Sequence, residues 1–248
     1  EIRQSEYLYD VPKFELDRTD IDDLMKDLKA FHEDFADCFH RSESRDNFLR
    51  YMSGQFSPIE RKSIEPISHA IEGAQVRAMQ RFVSDAPWDD NKIMDKYRYL
   101  VNEDLGHPDG AIIFDESGFQ KKGDDSIGVG RQYCGTIGKV ENCQVGVFAS
   151  YTSPYGYALI DKSIYLPQKW FTEDYAVRRE KCKLPPDTEF KTKPQLAAEM
   201  LKQISDQGQL PFRYILADSI YAASPEFIDV TDSLIGIIYM VQMPSNTQ

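Results

Sequence analysis

Gly110-Ala-Ile-Ile-Phe-Asp-Glu-Ser-Gly-Phe119 is the stretch that decides the fold. Four apolar residues, Ala111 to Phe114, follow a glycine and read as a short buried strand closed by Ser117-Gly118. Asp115 stands where that strand runs out, so a rigid element holds its carboxylate. About a hundred residues later the pattern returns in Phe212-Arg-Tyr-Ile-Leu-Ala-Asp-Ser219, an apolar strand ending on Asp218. If the two strands are neighbours in one sheet, the two carboxylates converge. Converging acids hold hard cations such as Mg²⁺ beside phosphates. An aspartate closing a buried strand is also a common turn former. Spacing alone leaves both readings open.

Upstream of this strand the periodicity is helical. Asp20 is placed to cap a helix bearing Ile21, Leu24, Leu28, Phe31 and Phe35, and Ser42 to cap a second bearing Phe48, Leu49 and Met52 and ended by Gly54. Ser57-Pro-Ile-Glu60 has the form of a capping box and predicts a third helix carrying Ile59, Ile64 and Ile67. After Glu72-Gly73 a short helix is expected over Gln75 to Ser84, and a last one over Asp89 to Leu105. Two short helices about a glycine turn resemble a helix-turn-helix. On that reading Gln75, Arg77, Gln80 and Arg81 are candidate groove or phosphate contacts. Plain helix packing is the alternative, and Pro66 inside the first helix favours it.

Gly106-His-Pro-Asp-Gly110 reads as a linker, after which the texture turns to strands. A glycine-rich hairpin carrying Lys121, Lys122 and Arg131 is expected beside the first acid, where these cations suit a phosphate backbone as well as they suit open solvent. Gln144 to Ser150 and Tyr157 to Tyr165 read as strands joined through Ser153-Pro-Tyr-Gly156. Pro167 to Lys193 is polar and loop-like. Lys193-Pro194 opens a helix bearing Leu196, Ala197, Met200, Leu201 and Ile204, stopped by Gly208. A helix from Ser224-Pro225 and a strand over Ile235 to Met243 complete the chain.

Asp115-Glu-Ser-Gly-Phe-Gln-Lys-Lys-Gly123, Gly128-Val-Gly-Arg-Gln-Tyr-Cys-Gly135 and Gly138-Lys-Val-Glu-Asn-Cys-Gln-Val-Gly-Val-Phe148 resemble the DDE transposases of bacterial insertion sequences, above all the insertion-sequence seven-oh-one family. Leu216-Ala-Asp-Ser-Ile-Tyr221, Phe190-Lys-Thr-Lys-Pro194, Val76-Arg-Ala-Met-Gln-Arg-Phe82 and Ala86-Pro-Trp-Asp89 fit the same pattern, which runs from about Phe31 onward. The resemblance implies an RNase H-like catalytic domain with Asp115 and Asp218 as the first two acids of a triad, Mg²⁺ as cofactor and Mn²⁺ as its substitute. It implies double-stranded DNA, at transposon ends and target, as the substrate, and a homodimer in the DNA complex. The expected architecture is α+β or α/β. An arm at 1–19 and a helical, DNA-binding domain at 20–107 precede an incomplete RNase H-like mixed sheet with flanking helices at 108–248.

Two departures bear on activity. Ala222-Ala223 stand where the family usually has Gly-Asn, and the family's third acid is a glutamate on a helix beyond the last strand read here. Glu116, adjacent to Asp115, is expected on the opposite face of its strand, and Glu226 reads as an acid favoured at a helix N-terminus. The chain is therefore expected to bind DNA without cutting it. A catalytically inactive DNA-binding or regulatory remnant is the alternative function.

Composition narrows the classes. With 41% hydrophobic and 12% aromatic residues the chain can bury an ordinary core, which argues against disorder. No apolar run reaches the length of about 18 residues that a membrane helix needs, so no membrane partner is expected. Cys38, Cys134, Cys143 and Cys182 form no CxxC pair, which fits a reducing, cytoplasmic compartment; the resemblance implies a bacterial, nucleoid-associated protein. GxSxG, P-loop and GxGxxG patterns are absent. The net charge of −12 opposes DNA binding at long range, yet the acids concentrate between Asp17 and Asp37. Stretches such as Lys121 to Arg131 and Arg178 to Lys193 are locally basic, and over a Debye length of about 8–10 Å clustering outweighs the sum. Tyr133 and Trp170 are candidates for stacking on unpaired bases or for core packing.

Overall fold

The computed structural model describes residues 17–241. The expected arm at 1–19 lies almost entirely outside them, as does the end of the strand expected to reach Met243. The backbone forms two compact units, one through Ile93 and one from Met94.

The first unit is helical: α1 (Arg18–Glu33), α2 (Ser42–Phe56), α3 (Ile64–Ala70), α4 (Val76–Ser84) and the start of α5 (Asp90–Leu105). Asp17, rather than Asp20, caps α1, and Asp20 closes a capping box from the third helical position. The helix expected from Ser57 does not form there. Ser57 is instead the C-cap of α2: its amide donates to the Ser53 carbonyl and its hydroxyl to the Gly54 carbonyl. Hydroxyls satisfy either end of a helix, so this residue type marks a boundary without saying which. Gly54 does not end α2 either. It lies buried in the helix where a Cβ would fall 2.3 Å from the Ile67 side chain, so its role is close packing against α3. Pro66 sits in the first turn of α3, where the missing amide is tolerated. Phe35, Phe39, Phe48 and Phe82 form the aromatic centre of the unit, with ring centroids 5.0–6.0 Å apart along the chain of contacts. Gln75, Arg77, Gln80 and Arg81 are all exposed on or beside α4.

The second unit is a mixed six-stranded sheet with flanking helices, the arrangement of an RNase H-like domain. Its strands are β1 (Ala111–Gln120), β2 (Gly130–Cys134), β3 (Lys139–Ser153), β4 (Gly156–Tyr165), β5 (Tyr214–Ala217) and β6 (Ile238–Val241), with helices α6 (Ala176–Lys181), α7 (Lys193–Gln207), α8 (Ser219–Ala222) and α9 (Pro225–Ser233). β3 lies antiparallel to β1, while β2 and β4 share its other edge in succession. β5 joins the free side of β1 in parallel, and β6 joins β5 in parallel. β1 runs further than its apolar residues predict, through Asp115 to Gln120, because long β3 offers it a continuous ladder.

Alternation sorts the side chains. Ile112 and Phe114 of β1, Val147, Ala149 and Tyr151 of β3 and Ile215 of β5 face one core, against Ala197, Leu201 and Ile204 of α7 and Phe227 of α9. The predicted start and stop of α7 hold: Thr192 closes a capping box with Gln195, Pro194 lies in the first turn, and Gly208 ends the helix in the left-handed region. Tyr151 bridges the sheet's end, its hydroxyl donating to the Pro211 carbonyl at 2.8 Å and accepting from the His107 amide at 2.9 Å. Gly110 is required beneath it, since a Cβ there would fall 2.3 Å from the phenol oxygen.

The buried face of α5 belongs to this unit and places a guanidinium in it. Arg98 is 1% exposed. It donates to the Ile160 carbonyl at 3.1 Å, to Gln207 Oε1 at 2.8 Å and to the buried Asp161 carboxylate at 2.7 Å. Replacing Arg98 by Ala strands Asp161 as an uncompensated buried charge, so a loss of about 3–5 kcal/mol is expected in urea unfolding. The double variant Arg98→Ala/Asp161→Leu recovers much of it. Equal urea midpoints for Arg98→Ala and the parent would show that the pair does not hold α5 to the sheet.

Candidate functional site

The β1–β5 ladder has four pairs, from Ala111↔Tyr214 to Phe114↔Ala217. The next residue on each strand is an aspartate. Because Phe114 and Ala217 both face the core, Asp115 and Asp218 emerge together on the other side, one step past the last pair. Asp218 also caps α8, accepting the Ile220 amide at 2.9 Å through Oδ1, and Asp115 Oδ1 accepts the Glu116 amide at 2.8 Å. The second oxygen of each aspartate has no hydrogen-bond partner among the described residues. Backbone amides thus fix the two carboxylates and leave one oxygen of each available.

Glu116 corrects an expectation. Its backbone does take the opposite, core-side face, yet its carboxylate lies with the two aspartates: ligand oxygens of Asp115, Glu116 and Asp218 are all within 4.8 Å of one another. No β5 residue stands beside Glu116 in the ladder, so its longer side chain reaches the strand end where α8 begins. Two groups pin it there. Lys193 Nζ, from the first turn of α7, pairs with Oε1 at 2.7 Å, and the Tyr221 hydroxyl donates to Oε2 at 3.1 Å. Both ion-pair side chains are largely buried, 17% exposed for Lys193 and 24% for Glu116. Burial first, then the Glu116, Asp218 and Asp115 carboxylates, push the Tyr221 phenol far above its ordinary range, so it remains a donor. Lys193 and Tyr221 were both legible as members of family-like motifs, without any sign of this role.

The donor set suits a hard cation. Three carboxylates this close repel one another, and octahedral Mg²⁺ spans about 4.2 Å between opposite oxygens. Asp115 and Asp218 would hold the ion through their available oxygens, with Glu116 as a third carboxylate already shared with Lys193 and Tyr221.

Other predicted residues are distributed. Arg131 is exposed on β2, and Lys122 is exposed and Lys121 half-buried beyond the end of β1. Trp170 is core, fully buried with its indole N–H donating to the Val129 carbonyl at 2.9 Å, whereas Tyr133 is 60% exposed. Glu226 stands in the first turn of α9 as expected, accepting from Ser224 and Gln195. No helix among the described residues is long and apolar enough to cross a membrane.

A family model described as DDE superfamily endonuclease matches residues 34–248. The chain is also 30% identical, over 199 residues, to a protein of Microchaete diplosiphon described as a probable transposase for insertion sequence element IS701. That alignment covers 78% of the chain and 47% of the relative, so the chain spans about half the length of the relative it matches.

Metal binding tests the cluster directly. Asp115→Asn and Asp218→Asn are each expected to weaken Mn²⁺ binding, read by calorimetry or electron paramagnetic resonance. Tyr221→Phe, which keeps all three carboxylates and removes one of the two partners that hold Glu116, should weaken it by about ten-fold, the scale of a lost outer-shell partner. Undiminished Mn²⁺ affinity in Asp218→Asn would exclude this cluster as the cation site.

Proposed function

The chain belongs to the DDE superfamily of endonucleases, and we propose that it forms the catalytic part of a DNA transposase. On this reading the protein binds the ends of an insertion element and carries out divalent-metal-dependent strand cleavage and transfer. The observation that supports it is the emergence of Asp115 and Asp218, side by side, from the ends of neighbouring parallel strands. A bound pair of divalent cations would supply an activated water or 3′-hydroxyl and a counter-charge for the leaving oxygen. Asp115 and Asp218, each locked by a backbone amide, would hold that charge in place. Glu116 is already shared between Lys193 and Tyr221, which leaves Asp115 and Asp218 as the principal ligands.

DNA is held by cations that an acidic chain keeps in local groups. Lys121, Lys122 and Arg131, close in sequence to the first acid, serve the phosphate backbone, and Gln75, Arg77, Gln80 and Arg81 present an exposed polar row on and beside α4 for a second contact. The working complex on this reading is a homodimer on double-stranded DNA in the bacterial cytoplasm.

The decisive assay is Mg²⁺-dependent nicking and joining of a labelled transposon end by the protein. Asp115→Asn and Asp218→Asn are each expected to abolish both steps while DNA binding persists. Efficient nicking by Asp218→Asn would remove the site assignment. Binding without metal-dependent cleavage in the parent protein would favour the regulatory reading.

Salt dependence examines the cationic contacts separately. Affinity for the transposon end should fall linearly on a log–log plot against salt, as counterion release requires. Lys121→Ala and Arg131→Ala should each lower the slope by about 1, the value of one lost phosphate contact. A slope unchanged by either variant would place the backbone contacts elsewhere.

A further inference from the structure

A groove of about 570 Å³ adjoins the acidic cluster, in the size range of about 300–1,000 Å³ typical of small-ligand sites. Its walls include Tyr133 from β2, Tyr165 from β4, Lys193 and Gln195 from the start of α7, Ile220 from α8 and Glu226 from the start of α9. Two of these walls are bonded to the acids themselves. The Ile220 amide donates to Asp218, and the Lys193 ammonium pairs with Glu116. The groove thus shares two of its walls with the acidic cluster.

Resting on the DNA-processing reading above, we propose that this groove receives an unpaired nucleobase of the DNA next to the cleaved position, stacked on Tyr133. Tyr133 leaves most of its ring in water, and its hydroxyl has no hydrogen-bond partner among the described residues. An exposed, unanchored aromatic ring beside a phosphate-processing site has the form of a stacking platform, which accepts any base because every base has a π-face. Glu226 selects the base over the phosphate. Its own amide, Ser224 and Gln195 hold its carboxyl below the ordinary glutamate range, so an anionic wall repels phosphate and accepts the N–H groups of a base. Trp170, the other candidate for this role, is excluded by full burial.

The test uses the full protein with Ca²⁺ in place of Mg²⁺, and a duplex whose single-stranded 3′ overhang carries 2-aminopurine. Parent protein should change the probe's emission on binding and prefer the overhang to a blunt duplex. Tyr133→Ala should lose the emission change and bind the overhang about ten-fold more weakly, the scale of one lost stacking contact. Tyr133→Phe should retain both, and blunt-duplex affinity should be the same in all three. Tyr157→Ala, at a largely exposed tyrosine on β4, should alter nothing. If parent protein binds DNA without perturbing the probe, or Tyr133→Ala binds the overhang like the parent, the stacking site is overturned and the transposase reading stands. Failure of the parent to bind either DNA overturns both.

Discussion

The parallel ladder between β1 and β5 is the constraint on which the unit from Met94 onward depends. It is four pairs long, and parallel strands require a crossover that carries the chain from one end of the sheet to the other. Here the crossover includes β2, β3, β4 and α7, and α7 lays its apolar stripe over the core face of β1 and β3. Packing of Leu201 and Ile204 against that face is what delivers Tyr214 to Ala111. The main chain then adds its own clasp, with the Arg213 and Tyr214 amides both donating to the Gly110 carbonyl. Two carboxylates meet because a helix buries its stripe. The hydrophobic effect, which has no direction of its own, is converted by the pleat into a fixed placement of charge.

Charge placement elsewhere in the unit runs against local preference. Lys193 occupies the first turn of α7, where the helix dipole disfavours a cation. It stays there paired with Glu116 and lying 5.7 Å from the centre of the Tyr165 ring. Arg98 is the deeper counterpart, held among Ile160, Gln207 and Asp161. In a chain with a net charge of −12, both cations are committed to interior carboxylates rather than to the surface.

How far the sequence could be read depended on whether the deciding force was local. α7 was legible end to end, because Thr192, Pro194 and Gly208 act on the backbone within their own turns. The two aspartates were legible because apolar strands ending in an acid have a local pattern, and their adjacency followed once β1 and β5 paired. Ser57 was misread because a hydroxyl caps either end of a helix, and only the run of α2 through Phe56 decides which. The continuation of β1 past Phe114 was hidden because polar Asp115, Glu116 and Ser117 are drawn into the ladder by β3. Glu116 was missed for a related reason. Strand parity gave its face correctly, but the end of β5 beside it frees its side chain to turn the corner. Tyr133 and Trp170 looked alike as aromatics, and burial alone separated them.

The pleat makes the site a matter of counting. From Ile112 to Asp115, odd and even positions alternate between core and open face, and the same holds from Ile215 to Asp218. Substitutions within either run change packing volume and leave the count intact. Insertion or deletion of one residue shifts the parity, turning the aspartate toward α7 and an apolar neighbour toward solvent. The tolerance of these segments is therefore asymmetric in genetic terms. Point changes among aliphatic residues are graded in their effect, whereas a single-codon length change in either strand inverts the two faces at once.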